Sequence, residues 1–529
     1  MKKIMFCDTE THSLYGEVCM FQYVGLNGDA KIKEYPSYKW MKKFIKKHHT
    51  VWYNFSYDGG TIGMDTIDYS YDDLFYAGRS AFPELPRYSL DVLHDYLGMN
   101  YYDSNLDKKK MQKSFTTAVA KKARKATPEQ IAYGKADVYT LRELYKNKKI
   151  QKIIQKNKAY SLDIESLKYS LIYQKNGLPV DRVALAQEKL NLVDSIESNY
   201  KILNGLNPNS PKQCKEALGT VNTSKETLVK LISEGNTLAK VIFEQRRLLK
   251  ARGMLESWDY DRIYTFFNPA GAVTGRFTSS GGDVDGAVNA QQITRKYQYM
   301  FHSPKGKTTF EIDYGTAELR AGCSIMRDKK MYEELMEGKD LHIEACREFM
   351  GIPEPTKAER TGGKAVSFGL IFGMSAPAFQ EYAFTEYGTT FSARRAKKIR
   401  DGYHKKYQGI SSYAQARWRD YKSVPVVTAM GRRNIANMGT DAINYATQGS
   451  IAEATKWSVV YLVRKYGFEA LRVIVNVVHD AVYIDCPDKD FDMWSKRLDK
   501  AMQKGWKKIC KSDLFFYKDI PMPTEVEKV

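Results

Sequence analysis

Seven cysteines in 529 residues are few, their number is odd, and no CxxC pair occurs. A disulfide framework is thereby excluded along with a cysteine-held structural zinc, and reduced thiols in a cytoplasm are expected. No stretch approaches the ~20 consecutive apolar residues that a membrane span needs. The opening MKKIMFC imitates the basic start of an export signal, but its apolar run stops at Asp8, too short for one. Internal repeats and extended low-complexity segments are missing too. Acidic residues are in deficit, 62 against 82 Lys and Arg, so the net charge is +20 and the pI about 9.3. Such a balance favours a polyanionic partner, nucleic acid first. An anionic membrane would suit the charge, but no amphipathic lipid-anchor pattern accompanies it. Hydrophobic content of 43% and charged content of 27% describe a globular chain, long enough for about three or four domains.

The most organised stretch is RTGGKAVSFGLIFGMS, Arg360 to Ser375. Arg360, Lys364, Phe368 and Phe372 recur every four residues, which lines them along one helical stripe roughly 18 Å long. Two cations sit toward the end where a helix carries partial positive charge, and two rings lie further along. That suits a ligand with polyphosphate at one end and a flat base at the other. An amphipathic core helix whose cations reach solvent fits the periodicity equally well. Gly362 and Gly363 interrupt the stripe between the cations and are expected to soften the helix there, each by roughly 1 kcal/mol relative to Ala.

Elsewhere, KIMFCD reads as a short buried strand ending in DTE, where Asp8 and Glu10 share a face. Two carboxylates so placed can hold a metal pair, although a solvated strand end is the plainer alternative. VWYNFSYDGG supplies Asn54 and Asp58. In TPEQIAYGKADVYTLREL, Thr127 with Gln130 forms a capping box, Pro128 suits the first helical position, and Tyr133 and Asp137 share a face. Basic runs at 42–49, 108–113 and 121–125 are solvated faces or phosphate contacts. The helical run 145–158 is expected to link domains. VIVNVV, then His479-Asp480, then AVYID reads as a β-hairpin with its tip at that dipeptide. Strand TTFEID delivers Asp313, and a helix is expected from about Ala317.

TFEIDYGTAELRAG (309–322), the 360–375 stripe and VIVNVVHDAVYIDC (473–486) together resemble, in order, the palm and fingers motifs of family A DNA polymerases. Asp313, Tyr314, Glu318, Leu319 and Arg320 match the first motif, with Gly315 for Ser. Arg360, Lys364, Phe368 and Gly373 match the second, with Phe372 for Tyr. Val478, His479 and Asp480 match the third, with Ala481 for Glu. TGRFTSS (274–280), NAQQITR (289–295), TAMGRRNIAN (428–437), NYATQGS (444–450) and the Asn-Ser-Pro-x-Gln of 209–213 resemble further family elements. Thr440 stands where the family often has Arg. Asp8-x-Glu10, Asn54-x-x-x-Asp58 and Tyr133-x-x-x-Asp137 resemble the DEDD-type 3′–5′ exonuclease that precedes many such polymerases. No 5′-nuclease domain is evident, and the length looks phage-like.

The resemblance implies an α/β multidomain fold, an RNase H-like exonuclease domain over 1–155 and a right-hand polymerase domain over 156–529. The thumb would span about 160–265, palm and fingers about 266–529, and the fingers about 330–420. It implies catalysis by Asp313, Asp480 and Lys364, and an attacking water oriented by Tyr133. Metal ligands would be Asp313, Asp480 and Tyr314 at one site and Asp8, Glu10, Asp58 and Asp137 at the other, with two Mg²⁺ or Mn²⁺ ions at each. Nucleotide contacts fall to Arg360, Lys364, Phe368, Phe372, Glu318 and Tyr314. DNA contacts fall to Arg276, Arg432, Asn444, Gln448 and His479. The expected partners are primer–template DNA, deoxynucleoside triphosphates and replication accessory proteins, for a monomer working in the cytoplasm of a phage-infected host. A repair polymerase with a weak exonuclease stays open, as does a non-catalytic duplex-binding protein.

Overall fold

Alternating and fully apolar short runs near the N-terminus form a mixed sheet in the computed structural model, which describes residues 2–99, 107–282 and 284–529. Asp283, within the 281–288 stretch, lies outside the described residues. Strands β1 (Ile4–Thr11), β2 (Val18–Gly25), β3 (Lys31–Glu34), β4 (His49–Trp52) and β5 (Ser70–Asp73) lie in the order β3-β2-β1-β4-β5. The first three are antiparallel, and β4 and β5 run parallel to β1. β1 continues past Asp8 because β2 pairs with it as far as Thr11 opposite Val18. Its apolar residues Phe6 and Cys7 are wholly buried, since both faces of the sheet are covered. Helix α1 (Leu74–Ala81) starts where the Asp73 side chain accepts from Phe75 N–H. Helix α2 (Pro128–Tyr145) begins with the expected Thr127–Gln130 capping box and packs on β1 and β2.

Asn157 ends the basic helix Lys148–Lys156 and caps the next one, α3 (Lys158–Tyr173). α3 serves two cores: Tyr160, Leu167 and Leu171 enter the N-terminal one, and Ala159, Leu162, Tyr169 and Tyr173 the larger C-terminal one. Next come the long helices α4 (Arg182–Leu203) and α5 (Thr237–Ser257), packed on each other. A separate small core of Leu203, Cys214, Leu228, Ala239 and Ile242 lies at one end of this pair.

The hairpin β6 (Phe266–Asn268) and β7 (Thr278–Ser280) precedes a second sheet. That sheet is antiparallel, in the order β9-β10-β8-β11, built from β8 (Lys307–Tyr314), β9 (Ile474–Val478), β10 (Ala481–Pro487) and β11 (Thr524–Lys528). Helices α6 (Ala317–Ile325), α7 (Leu341–Ala345) and α8 (Lys357–Ile371) follow β8. α9 (Gly439–Tyr466) and α10 (Phe491–Cys510) pack against each other, and α10 covers β8, β10 and β11. Among the described residues no helix is long and apolar enough to cross a membrane.

Candidate active sites

The register of β8 against β10 pairs Ile312 with Val482, so Asp313 emerges beside the turn between β9 and β10. That turn is His479-Asp480, with Val478 paired to Ala481 and His479 at φ 54°. The two carboxyls lie close enough to interact electrostatically. Burial, and then the Asp480 charge, push Asp313 up to about 8, while burial pushes Asp480 up to about 6. Asp313 Oδ1 is buried without a hydrogen-bond partner among the described residues. Two neighbouring carboxyls, both raised by burial and one with a spare buried oxygen, are a donor set that fits a hard divalent cation.

Glu318 enters from the first turn of α6 and accepts from Arg276 Nη2 at 3.1 Å and from Gln448 Nε2 at 3.0 Å. Asn444 lies one turn before Gln448 on α9, and His479 is exposed at the hairpin tip. Arg295, the last residue of NAQQITR, reaches to 3.9 Å of Asp313. Its position in that element was the only sequence signal for it.

α8 starts earlier than the stripe, at Lys357, through a second capping box between Thr356 and Glu359. Arg360, Lys364 and Phe368 are half-buried on one face. Arg360 is forked onto Asp340 Oδ2 at 2.6 and 2.8 Å. Burial, then Arg360 and Arg295, hold the Lys364 ammonium below its ordinary range. Phe368 lies 5.0 Å from the His342 ring. His342 is 1% exposed, its Nδ1 is unpartnered among the described residues, and burial holds it down to about 4. Sequence reasoning passed over Asp340 and His342. Their signal was slight: an N-capping Asp just before the apolar start of a short helix.

Three expectations need correction, and a fourth is narrowed. Phe372 does not continue the stripe; the helix ends at Ile371, Gly373 turns at φ 74°, and the Phe372 ring is buried in the core. Tyr314 points to the opposite face of β8 from Asp313, where its hydroxyl meets Met502 O at 2.7 Å and Ser458 Oγ at 3.0 Å. A contact of Tyr314 with nucleotide or metal would therefore come from its main chain, not from its ring. Arg432 cannot reach DNA: it is 6% exposed and donates to Asp163 Oδ2 at 2.6 Å, with buried Lys456 on Oδ1 at 2.6 Å. Gly363 is a packing site rather than a soft spot, because an added Cβ would lie 2.1 Å from His342 O and 2.7 Å from Cys346 Sγ.

In the N-terminal unit, alternation along β1 puts Asp8 and Glu10 on one face, where Asp137 of α2 meets them. Oxygens of these three carboxylates lie within 4.8 Å of one another. Burial, then the charges of Asp58 and Asp137, raise Asp8 well above the carboxylate range; Gln22 donates to it at 2.6 Å. Tyr133, one turn before Asp137, lines the same recess of about 760 Å³. Asp58 also lines it but stands outside the tight group, accepting from Thr9 Oγ1 at 2.5 Å and pushed up to about 7 by burial. This set too offers only hard oxygen donors.

A sheet bearing paired Asp residues, flanked by a cationic helix and a long helical pair, defines a nucleotidyl-transferring polymerase fold. The sequence matches DNA polymerase family A over residues 175–527, and the chain belongs to that family. It is 28% identical to DNA polymerase I of Aquifex aeolicus over 482 residues, covering 82% of this chain and 80% of that protein. The DNA polymerase of Mycobacterium phage D29 is 27% identical over 277 residues, 50% of this chain and 43% of that protein. The fold is similar to the POL domain of Pol1 from M. smegmatis, solved with DNA primer-template and dNTP, with a TM-score of 0.74 and 18% identity over 99% of this chain and 94% of that one. Family membership makes DNA-directed DNA synthesis the chemistry of this chain.

Proposed function

We propose that the protein replicates DNA from a primer and proofreads its product with a 3′–5′ exonuclease, as a monomer in the cytoplasm of a phage-infected host. On this reading the domains are an exonuclease over 1–155 and a polymerase over 156–529, with α4 and α5 as the thumb. The observation that carries it is the meeting of Asp313 and Asp480, with Arg295 reaching to 3.9 Å of Asp313 and its charge acting on Lys364 of α8. Buried free thiols at all seven cysteines accord with a reducing compartment.

Asp313 and Asp480 would hold Mg²⁺ or Mn²⁺ in the polymerase site, and Asp8, Glu10, Asp137 and Asp58 in the exonuclease site. When bound, two such ions supply charge neutralisation and an activated oxygen nucleophile. The protein's own groups do the rest. Lys364 and Arg295 present cations to the triphosphate, and Arg360 joins them once it leaves Asp340. Phe368 offers a flat wall for sugar and base, backed by His342. Glu318 borders the sugar, while Arg276, Gln448 and Asn444 face the base-paired end, where minor-groove acceptors common to all pairs permit sequence-blind contact. In the second site Tyr133 orients water toward the terminal phosphodiester. Replication accessory proteins would act on the complex with primer–template DNA.

A 5′-labelled primer on a recessed template tests this. With Mg²⁺ and all four deoxynucleotides the primer should reach full length; without nucleotides it should shorten, and chelation should stop both. Absence of extension would refute the replicative reading, and a stable primer without nucleotides would refute proofreading.

A further inference from the structure

Arg79 sits on α1 of the N-terminal unit, yet its hydrogen bonds go to the polymerase half. Its guanidinium donates to the backbone carbonyl of Ala270, to Gly271 O at 3.4 Å and to Ala272 O at 2.9 Å. Three successive carbonyls on one fork fix both the place and the direction of a chain segment. Tyr76, on the same helix, adds a bond from its hydroxyl to Asn268 Oδ1 at 2.9 Å. Ala270 is wholly buried and belongs to the N-terminal core, not to that of the flanking hairpin. Tyr15, next to Leu14 of the carboxylate recess, stacks on Phe266 with centroids 3.5 Å apart.

The gripped segment leads straight to Arg276. Gly275 N–H donates to Ala272 O at 2.9 Å, and Ala272 N–H to Arg276 O at 3.4 Å, so the loop is a closed turn resting on the carbonyls that Arg79 holds. On the far side Gly275 abuts the Arg432 guanidinium, where an added Cβ would lie 2.3 Å from Nε. Arg276 then reaches Glu318 at 3.1 Å. Arg79 itself lies against the rings of Phe75 and Tyr88, at 5.6 and 5.7 Å, and both rings line the recess of Asp8, Glu10 and Asp137.

We propose that Arg79 is a positioning residue for nucleotide addition, acting from the N-terminal unit through the 270–276 turn on Arg276. The N-terminal unit thereby forms part of the polymerase site's foundation, independently of its own carboxylates. The proposal rests on the assignment of Arg276 and Glu318 to the polymerase site.

The test is a double-mutant cycle on single-nucleotide addition by the full chain. Arg79→Ala should lower kcat about tenfold with nucleotide KM changed less than twofold. Arg79→Lys, which keeps the charge but loses the fork, should fall between it and wild type. In an Arg276→Ala background, Arg79→Ala should cost less than twofold more. A general loss of stability would slow addition equally in both backgrounds, and that result would refute the coupling while leaving the site assignment intact. If Arg276→Ala by itself leaves addition unchanged, the site assignment fails and the proposal falls with it. Should Arg79→Ala not fold, Arg79→Lys and Tyr76→Phe run through the same cycle, and additivity overturns the proposal there too.

Discussion

Replacing Glu318 by alanine should relax the enzyme's choice of sugar. The Glu318 carboxylate is one-fifth exposed and held by two donors on Oε1, the Arg276 guanidinium at 3.1 Å and the Gln448 amide at 3.0 Å. A ribose 2′-hydroxyl pressed against that side chain must displace it and strain both bonds. A charged hydrogen bond contributes about 1.5–3 kcal/mol and a second bond about 1 kcal/mol. Together they amount to roughly 2.5–4 kcal/mol, a factor of about 10² to 10³ in kcat/KM against ribonucleotides. Glu318→Ala should therefore compress the deoxy-to-ribo ratio by about 100-fold, while slowing both additions because Arg276 and Gln448 lose their anchor. Glu318→Gln keeps the volume and one acceptor, so it should retain more of the ratio than alanine does. The assay is single-nucleotide addition with each sugar, giving kcat/KM for all three proteins. A wild-type enzyme indifferent to the sugar, or an unmoved ratio in Glu318→Ala, would refute this reasoning.

Gly363→Ala should destabilise the C-terminal unit by roughly 1–3 kcal/mol, because its Cβ would collide with the His342 carbonyl; unchanged denaturant unfolding would contradict the close packing of α7 on α8. Asp163→Ala should cost about 3–5 kcal/mol, since it strands Arg432 and Lys456 as buried charges. Adding Lys456→Met should recover part of that loss, and a cost for Asp163→Ala alone below about 1 kcal/mol would refute the network's role.

Local signals predicted local structure. Alternation on either side of His479-Asp480 marked the hairpin, and the Thr127–Gln130 spacing marked the start of α2, because neither depends on distant residues. The strand period also contains the direction of the Tyr314 side chain: neighbours on β8 face opposite ways, so Asp313 and Tyr314 cannot both line one site with their side chains. Arg432 was not legible at all. Its burial depends on Asp163, an acid on α3 far back in the chain. The glycines of α8 show the same limit, for Gly363 weakens a helix in isolation and permits a helix contact in the fold. Arg79 carries no motif, and only tertiary structure sets it against the 270–272 carbonyls.

On the proposed function, two separate carboxylate sites perform opposite reactions on one primer end. The most direct measurement is a labelled-primer assay on Asp313→Asn, Asp480→Asn and the double variant Asp8→Ala with Glu10→Ala, each with and without deoxynucleotides. The first two should lose extension yet still shorten the primer. The double variant should extend at near wild-type rate and leave the primer intact without nucleotides. Loss of extension in the double variant, with DNA binding retained, would contradict the separation of the two sites.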